Sequence, residues 1–268
     1  MLVADDSRID RRIVASILEG RGHRVLVAGD GTSALALFRE NEAKGVVFDA
    51  AVIDFQMPGL GGEDLAQALR VDEAKRVRPL RIVLLSGAAE ERTAWKGIDA
   101  ALPKPLDPEA LLAAIEGRGA GEAKEPTVKA GGASPAPSSP SALSDSPSEE
   151  GSEKVVFDLP EALKRARGKQ ALLVELVKIF MDDSGSYLET LHQAASSGNL
   201  EQMERAAHRL KGSSANVSAQ RTAAAAERIE KTVRSTHALP EAALLSSLDD
   251  EVGKARRALS GFLAQNQV

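Results

Sequence analysis

Cysteine is absent from the 268-residue chain, and aromatic residues are scarce at 3%. Without cysteine there is neither a disulfide framework nor a thiolate metal site, which fits a reducing compartment such as the cytoplasm. No apolar run approaches the roughly 18 residues needed to cross a bilayer, so we expect no membrane contact by this segment. Basic runs are also lacking and the formal net charge is -5, which argues against nucleic acid as a partner. We therefore expect the partners to be proteins.

The length of the chain and its 43% hydrophobic content are typical of two small globular domains. The first domain is predicted to span 1–117 and the second 154–268. Between them, 118–153 is dominated by Gly, Ala, Ser, Pro and Glu, cannot form a core and is predicted to be a flexible linker. A buried-type strand begins directly after Met1, so we expect the chain to be part of a longer protein.

In the first domain, short apolar β-type runs alternate with helical patterns, which is typical of βαβ units and a parallel sheet. The predicted strands are Leu2–Ala4, Arg24–Ala28, Ala50–Ile53, Arg81–Leu85 and Ala100–Leu102. Helices are predicted near Ile9–Leu18, Ser33–Asn41, Glu63–Val71, Glu90–Lys96 and Glu109–Ile115. These units predict a doubly wound α/β domain with a five-stranded parallel sheet. In the order 2-1-3-4-5, which is one of the common orders of such sheets, strands one and three are neighbours.

Three acidic side chains come at the carboxyl ends of strands that are neighbours in this arrangement. Asp5 and Asp6 follow the first strand, and Asp54 follows the third. These strands bracket the switch point at which doubly wound sheets bind ligands, so the three carboxylates should meet there. A divalent cation would relieve their mutual repulsion, and Mg2+ prefers oxygen ligands. The pattern predicts a magnesium site.

Two further polar residues are predicted to lie at the same edge of the sheet. Ser86 ends the fourth strand and Lys104 follows the fifth. A hydroxyl and an ammonium group facing a carboxylate can hold the oxygens of a phosphoryl group attached to it. Taken singly, each residue has a simpler interpretation, since an acidic pair after a strand is often a helix N-cap and a lone lysine is often a solvated amine. Their joint placement favours aspartyl phosphate chemistry.

The segment 1–116 contains the stretches VADDSRIDRRIV, VIDFQMPGLGGEDL, LLSGA and LPKPL. On these stretches it resembles the response-regulator receiver domain, which implies a flavodoxin-like fold with the strand order 2-1-3-4-5. It implies that Asp54 is the phosphoacceptor, that Ser86 is the hydroxyl switch and that Lys104 binds the phosphate. The metal shell implied for Mg2+ consists of Asp5, Asp6, Asp54 and the backbone carbonyl of Gln56. The motif IDFQMPGLGG is most similar to the receivers of hybrid sensor histidine kinases.

From about Asp158 onward, strand-like runs end and helical periodicity begins. One apolar stripe consists of Leu172, Leu173, Leu176, Val177 and Phe180. Helix breaks are indicated at Ser197-Gly198-Asn199 and at Leu239-Pro240. This pattern predicts an all-α domain that closes as an antiparallel four-helix bundle.

One histidine of the second domain has an informative setting, AAHRLKGSSANVSAQ. At about 100° per residue, His208 lies roughly 140° from the centre of the buried stripe of its helix and is expected to be exposed. Lys211 and Gly212 share its face of the helix. A glycine within a helix costs about 1 kcal/mol relative to alanine, and close approach of a partner would explain it. Lys211 would offset the charge of a phosphoryl group.

The second domain resembles the histidine phosphotransfer (HPt) domain. The resemblance is carried by HRLKGSSAN and by the entry segment VVFDLPEALKRARGKQALLVELVKIFMDD. It implies that His208 is the phosphorylated residue and that Lys211 and Gly212 support the transfer. A lone histidine on a helix is usually a surface residue without function, and His192 and His237 keep that interpretation.

The two resemblances together imply a two-component phosphorelay, similar to the C-terminal part of a hybrid sensor histidine kinase. Asp54 would accept a phosphoryl group from the histidine of an upstream sensor kinase and exchange it with His208, which would serve a downstream response-regulator receiver. No Gly-rich nucleotide loop is found, so the segment would carry phosphoryl groups without an ATP site of its own. The implied location is the cytoplasm, with a parent protein that could be membrane-anchored.

An alternative is a non-relay scaffold or docking module with little phosphotransfer. It gains weight from Ala101, since receivers usually carry Tyr or Phe three residues before the lysine that is Lys104 here. An aspartyl-nucleophile phosphatase is disfavoured, because such enzymes need a second acid two residues after the nucleophile, where Gln56 stands.

Overall fold

The structure is a computed structural model that describes residues 1–73, 78–87, 96–104, 106–117 and 156–266. The linker predicted at 118–153 lies outside the described residues, as does most of the helix predicted at Glu90–Lys96. Within the described ranges, no helix is both long and apolar enough to cross a bilayer.

The first domain contains a five-stranded parallel sheet in the order β2-β1-β3-β4-β5, which confirms the predicted topology. The strands are β1 (Leu2–Ala4), β2 (Leu26–Ala28), β3 (Ala50–Asp54), β4 (Arg81–Ser86) and β5 (Ala100–Pro103). Apolar clusters cover both faces of the sheet. Alternate residues of β3 point to opposite faces, so Ile53 packs in one cluster and Val52 in the other.

Four described helices accompany the sheet: α1 (Arg8–Glu19), α2 (Gly31–Ala43), α3 (Gly62–Glu73) and α4 (Pro108–Glu116). Each begins and ends within one or two residues of its predicted bounds. The N-cap of α1 is Ser7, whose hydroxyl oxygen accepts a hydrogen bond from the Asp10 amide at 3.2 Å. Because Ser7 caps the helix, Asp6 is not needed for that role.

The second domain is all-α, as predicted, with α5 (Leu159–Arg165), α6 (Gln170–Ser197), α7 (Leu200–Asn216), α8 (Gln220–Thr236) and α9 (Ala242–Gln265). The four longer helices each pack on two others in a closed bundle, and α5 packs against α6. The turn between α6 and α7 passes through Gly198 in the left-handed conformation, at φ 71°, as the predicted break requires.

The two domains are in contact through α1, which packs against α6 and α7 of the bundle. Ile9 on α1 is only 1% exposed and belongs to the same apolar cluster as the core of the bundle. Since α1 follows directly after β1, this packing brings the carboxyl edge of the sheet to the helix that carries His208.

Gly62 lies where the backbone of α3 passes close to the residue that ends β3. A Cβ atom at this position would be 2.2 Å from the Asp54 carbonyl oxygen and 2.9 Å from the Cα atom of Phe55. At the neighbouring Gly61, a Cβ atom would meet nothing within 4 Å.

We predict that Gly62→Ala destabilises the first domain by about 1–3 kcal/mol, because backbone atoms must move to admit the methyl group. The control Gly61→Ala should change stability by less than about 0.5 kcal/mol. Native-state hydrogen exchange of the β3 amides measures both effects. Equal protection of β3 in the two variants would contradict the prediction.

Candidate phosphotransfer site

Three carboxylates meet at the carboxyl edge of the sheet. Oxygen atoms of Asp5, Asp6 and Asp54 all lie within 4.8 Å of one another. The adjacency of β1 and β3, which pairs Ala4 with Ile53, places the residues that follow them side by side. Asp5 is fully buried and Asp54 is only 6% exposed, so little solvent is available to screen the cluster.

Lys104 reaches into this cluster from the end of β5. Its Nζ atom lies 2.9 Å from Asp5 Oδ2 and 3.0 Å from Asp54 Oδ1. Burial acts to lower the pKa of Lys104, but the surrounding carboxylates raise it well above its ordinary value. The Lys104 amide also donates to the Ser86 carbonyl at 2.8 Å, so both predicted residues are held at the same edge. Gln56 lies exposed in the segment after β3.

The acidic cluster fits a divalent cation. Burial raises the pKa of Asp5 well above its ordinary value and also raises the pKa of Asp54; the attraction of Lys104 opposes this rise without cancelling it. The neighbouring acids add to the rise, which shows that the negative charge is incompletely balanced. An all-oxygen donor set with excess negative charge is what Mg2+ prefers. Asp5, Asp6 and Asp54 would hold the ion, and the ion would neutralise phosphoryl oxygens beside Asp54.

His208 lies on α7 with 35% of its side chain exposed, so the predicted exposure is only partial. The reason is a contact that the sequence pattern did not indicate. His208 Nδ1 lies 2.8 Å from Oε1 of Glu230, a residue of α8 that is 2% exposed. One edge of the imidazole ring is therefore turned toward the interior of the bundle.

Two further side chains, besides His208, bind the Glu230 carboxylate. Lys211 Nζ donates to Oε2 at 2.6 Å, and Arg234 Nη2 donates to Oε1 at 3.0 Å. Burial acts to raise the pKa of Glu230, but the hydrogen bonds from His208 and Lys211 outweigh it and bring the pKa to about 2. Lys211, predicted to offset phosphoryl charge, is thus also bound to an acid of the bundle.

The ionised Glu230 fixes the tautomer of His208. A carboxylate with a pKa of about 2 has no proton to donate at neutral pH, so it can only accept. The Nδ1 atom of His208 must therefore carry the hydrogen of their shared bond. In the neutral ring, the lone pair is then on Nε2.

Glu230 could have been found from its own helix. It lies among Ala226, Ile229 and Val233, which are all buried, so an acid interrupts an apolar stripe of α8. A buried acid is rare unless it is paired. The partner, His208, lies on a different helix, so the pattern of α8 alone cannot identify it.

A cleft of about 1100 Å3 between the two domains connects the two predicted phosphorylation sites. Asp54 and Lys104 line it from the first domain, and His208, Lys211 and Gly212 line it from the second. A Cβ atom at Gly212 would meet nothing within 4 Å, which agrees with open space beside His208. The cleft brings together residues that the sequence had placed in separate domains.

Comparisons with known proteins identify both domains. The family model described as "Response regulator receiver domain" matches residues 1–116, and the one described as "Hpt domain" matches residues 175–258. The chemotaxis protein CheY of Pseudomonas aeruginosa is 31% identical over 119 residues, which cover 43% of this chain and 92% of CheY. The chain belongs to the two-component signalling proteins, as a receiver domain joined to an HPt domain.

Some longer relatives are similar to this chain across most of its length. The sensor histidine kinase GacS of Pseudomonas protegens is 27% identical over 259 residues, covering 95% of this chain and 26% of GacS. The virulence sensor protein BvgS of Bordetella pertussis is 29% identical over 222 residues, covering 79% of this chain and 16% of BvgS. The chain therefore spans about a quarter or less of these relatives. A receiver domain followed by an HPt domain indicates a two-component phosphorelay, and none of these comparisons favours the scaffold alternative.

We predict that Glu230 stabilises the HPt domain in a pH-dependent way. Its folded pKa of about 2 lies below the ordinary 4.5, so the ionised form stabilises the fold above pH 4.5 and this contribution is lost as the pH falls toward 2. The difference in unfolding free energy between wild type and Glu230→Gln should therefore be largest near neutral pH and shrink on acidification. Urea unfolding between pH 7 and about pH 2.5 measures it.

The matched control is Glu227→Gln on the same helix, where the glutamate is 43% exposed and pairs with Lys231. Because Glu227 is exposed, this variant should differ from wild type near neutral pH by less than Glu230→Gln does. A difference for Glu230→Gln that stays constant or grows toward low pH would contradict the assignment.

Proposed function

We propose that the chain is an intramolecular phosphoryl carrier, in which Asp54 of the receiver domain and His208 of the HPt domain exchange one phosphoryl group across the cleft. The observation that supports this most directly is that both side chains line the same cleft. The receiver and HPt domains supply the two residue types that such an exchange needs.

In the first step, a carboxylate oxygen of Asp54 attacks the phosphorus of a phosphohistidine on an upstream sensor histidine kinase. A P–O bond forms and the P–N bond breaks, with the electron pair returning to the kinase imidazole. Lys104, at 3.0 Å from Asp54, is placed to hold phosphoryl oxygens. Mg2+ bound by Asp5, Asp6, Asp54 and the Gln56 carbonyl would supply further charge neutralisation, and Ser86 would hold another oxygen.

In the second step, Nε2 of His208 attacks the phosphorus of the aspartyl phosphate. A P–N bond forms, and the P–O bond to Asp54 breaks with its electron pair leaving on the carboxylate. The phosphorylated ring keeps its hydrogen on Nδ1 and carries a positive charge. Glu230, at 2.8 Å from Nδ1, stabilises that charge. Gly212 leaves this face of α7 open to the carrier of the phosphoryl group, and Lys211 would offset the charge of that group.

The partners that this chemistry requires are an upstream sensor kinase and a downstream receiver that takes the phosphoryl group from His208. We place both steps in the cytoplasm, because the upstream kinase draws on ATP. We also propose that the chain acts within a hybrid sensor histidine kinase whose other parts bind ATP and sense the signal.

We predict that Asp54→Asn abolishes Mg2+-dependent labelling of the chain by a small acyl phosphate, because Asp54 is the first acceptor. The control Asp49→Asn alters an exposed acid just before the other end of β3 and should label normally. Autoradiography with and without chelator measures the labelling. Undiminished labelling of the Asp54→Asn protein would reject Asp54 as the acceptor.

We further predict that transfer from Asp54 to His208 occurs within one molecule, since domains of one chain have a high effective concentration. Wild-type protein treated with acyl phosphate should accumulate alkali-stable phosphohistidine at a rate that does not depend on dilution. A mixture of Asp54→Asn protein and prephosphorylated His208→Gln protein can transfer only between molecules, so its rate should fall on dilution.

The same dilution dependence in wild type and in the mixture would mean that transfer is intermolecular. Absence of alkali-stable phosphate in both would mean that His208 is not an acceptor of the phosphoryl group on Asp54.

A further inference from the structure

Ion pairs join the receiver helix α1 to the bundle helix α6. Arg12 Nε lies 2.7 Å from Glu175 Oε1, and Arg8 Nη1 lies 2.7 Å from Asp183 Oδ1. The residue numbers increase in opposite directions along the two helices, so the helices run antiparallel. On this side of the interface, the receiver supplies the cations and the HPt domain supplies the anions.

Near Asp54, the predicted phosphoacceptor, the two domains exchange the signs of their charges. Arg209, which follows His208, places Nη2 at 2.5 Å from Asp6 Oδ2. Asn216 Nδ2 donates to Asp10 Oδ1 at 2.8 Å. Here the HPt domain supplies the cation and the receiver supplies the acids. The two sides together define one orientation of α1 on the bundle.

The centre of the interface is apolar. Ile9 is 1% exposed in the cluster of the bundle core, and Ile13 packs against the same cluster. Burial of such side chains contributes affinity, but it does not distinguish one apolar helix from another. Discrimination must come from the charged groups around them.

We infer that the opposed charge pattern, with Arg8 and Arg12 facing α6 and Asp6 facing Arg209, selects this chain's own receiver domain as the docking partner of its HPt domain. The inference rests on the proposed function, because it specifies the partner of His208. A receiver with acids in place of Arg8 and Arg12 would meet like charges on α6, at Asp182, Asp183 and Glu175. An α1 helix docked in the reverse direction would bring arginines toward Arg209.

The pairs act by rejecting mismatched partners more than by adding stability. Arg12 and Glu175 are 32% and 45% exposed, and exposed ion pairs contribute little net stability. Like charges placed at the same sites are unfavourable and also slow the encounter of the two surfaces. Charge reversal on one side is therefore a sharper test than neutralisation.

The test uses the full chain with a spin label on each domain, at Lys44→Cys and Ser260→Cys, both exposed positions. The chain has no cysteine of its own, so only these positions are labelled. Double electron–electron resonance between the two labels should give one narrow distance distribution for the docked wild type. Arg12→Glu or Glu175→Arg alone should lower the ratio of docked to undocked chains by about fivefold or more, and the double reversal should restore it.

Arg24→Glu is the matched control, because it makes the same charge change at an exposed receiver position whose side chain is outside these contacts. It should leave the distribution narrow. At about 1 M salt, where charges are screened beyond about 3 Å, the single reversals should differ less from wild type. A purely structural effect of the substitutions would show no such salt dependence and no recovery in the double variant.

Three outcomes would overturn the inference: a broad distribution in wild type, single reversals that match wild type, or a double reversal that stays undocked. A docked wild type that forms no phosphohistidine would instead reject the proposed function and leave the charge-based docking intact.

Discussion

The receiver domain is organised around a concentration of buried negative charge that its sheet topology cannot avoid. Because β1 and β3 are neighbours, the acids that follow them converge, and their carboxylate oxygens lie within 4.8 Å of one another. Such a cluster is unfavourable without cations. Lys104 supplies one positive charge from β5, and the remaining excess of negative charge fits a divalent cation such as Mg2+.

The HPt domain contains the complementary arrangement, a single buried carboxylate surrounded by donors. Glu230 receives hydrogen bonds from His208, Lys211 and Arg234, and its pKa of about 2 keeps it ionised. An anion at this place sets the tautomer of the imidazole and would stabilise a positively charged ring. The predicted phosphorylation site is thus oriented by a residue that is itself buried.

The contact between the domains combines these two electrostatic centres. Ile9 packs in the apolar cluster of the bundle, and ion pairs flank it on both sides. Arg209 approaches Asp6 directly, so a cation of the bundle takes part in balancing the acidic cluster. A cation bound at Asp6 would compete with Arg209 for the same carboxylate.

The sequence by itself determined the elements, the order of the strands and the residues at the edge of the sheet. The elements and the edge residues follow from local patterns: apolar runs of three to five residues, helical spacing, and acids that directly follow strands. The strand order follows from the resemblance to receiver domains. The strand bounds of β2 were wrong by two residues at its start, since Arg24 and Val25 precede the first paired residue, Leu26. The domain limits and the linker at 118–153 stay predictions.

Only the tertiary structure decided the setting of His208 and the way the domains meet. The helical pattern of α7 gave the angle of His208 but could not show that Glu230, on another helix, covers one edge of the ring. The pairing of Arg209 with Asp6 joins residues that are 203 positions apart. Contacts of this kind depend on how whole elements pack, and the spacing of residues within one helix or strand carries no information about them.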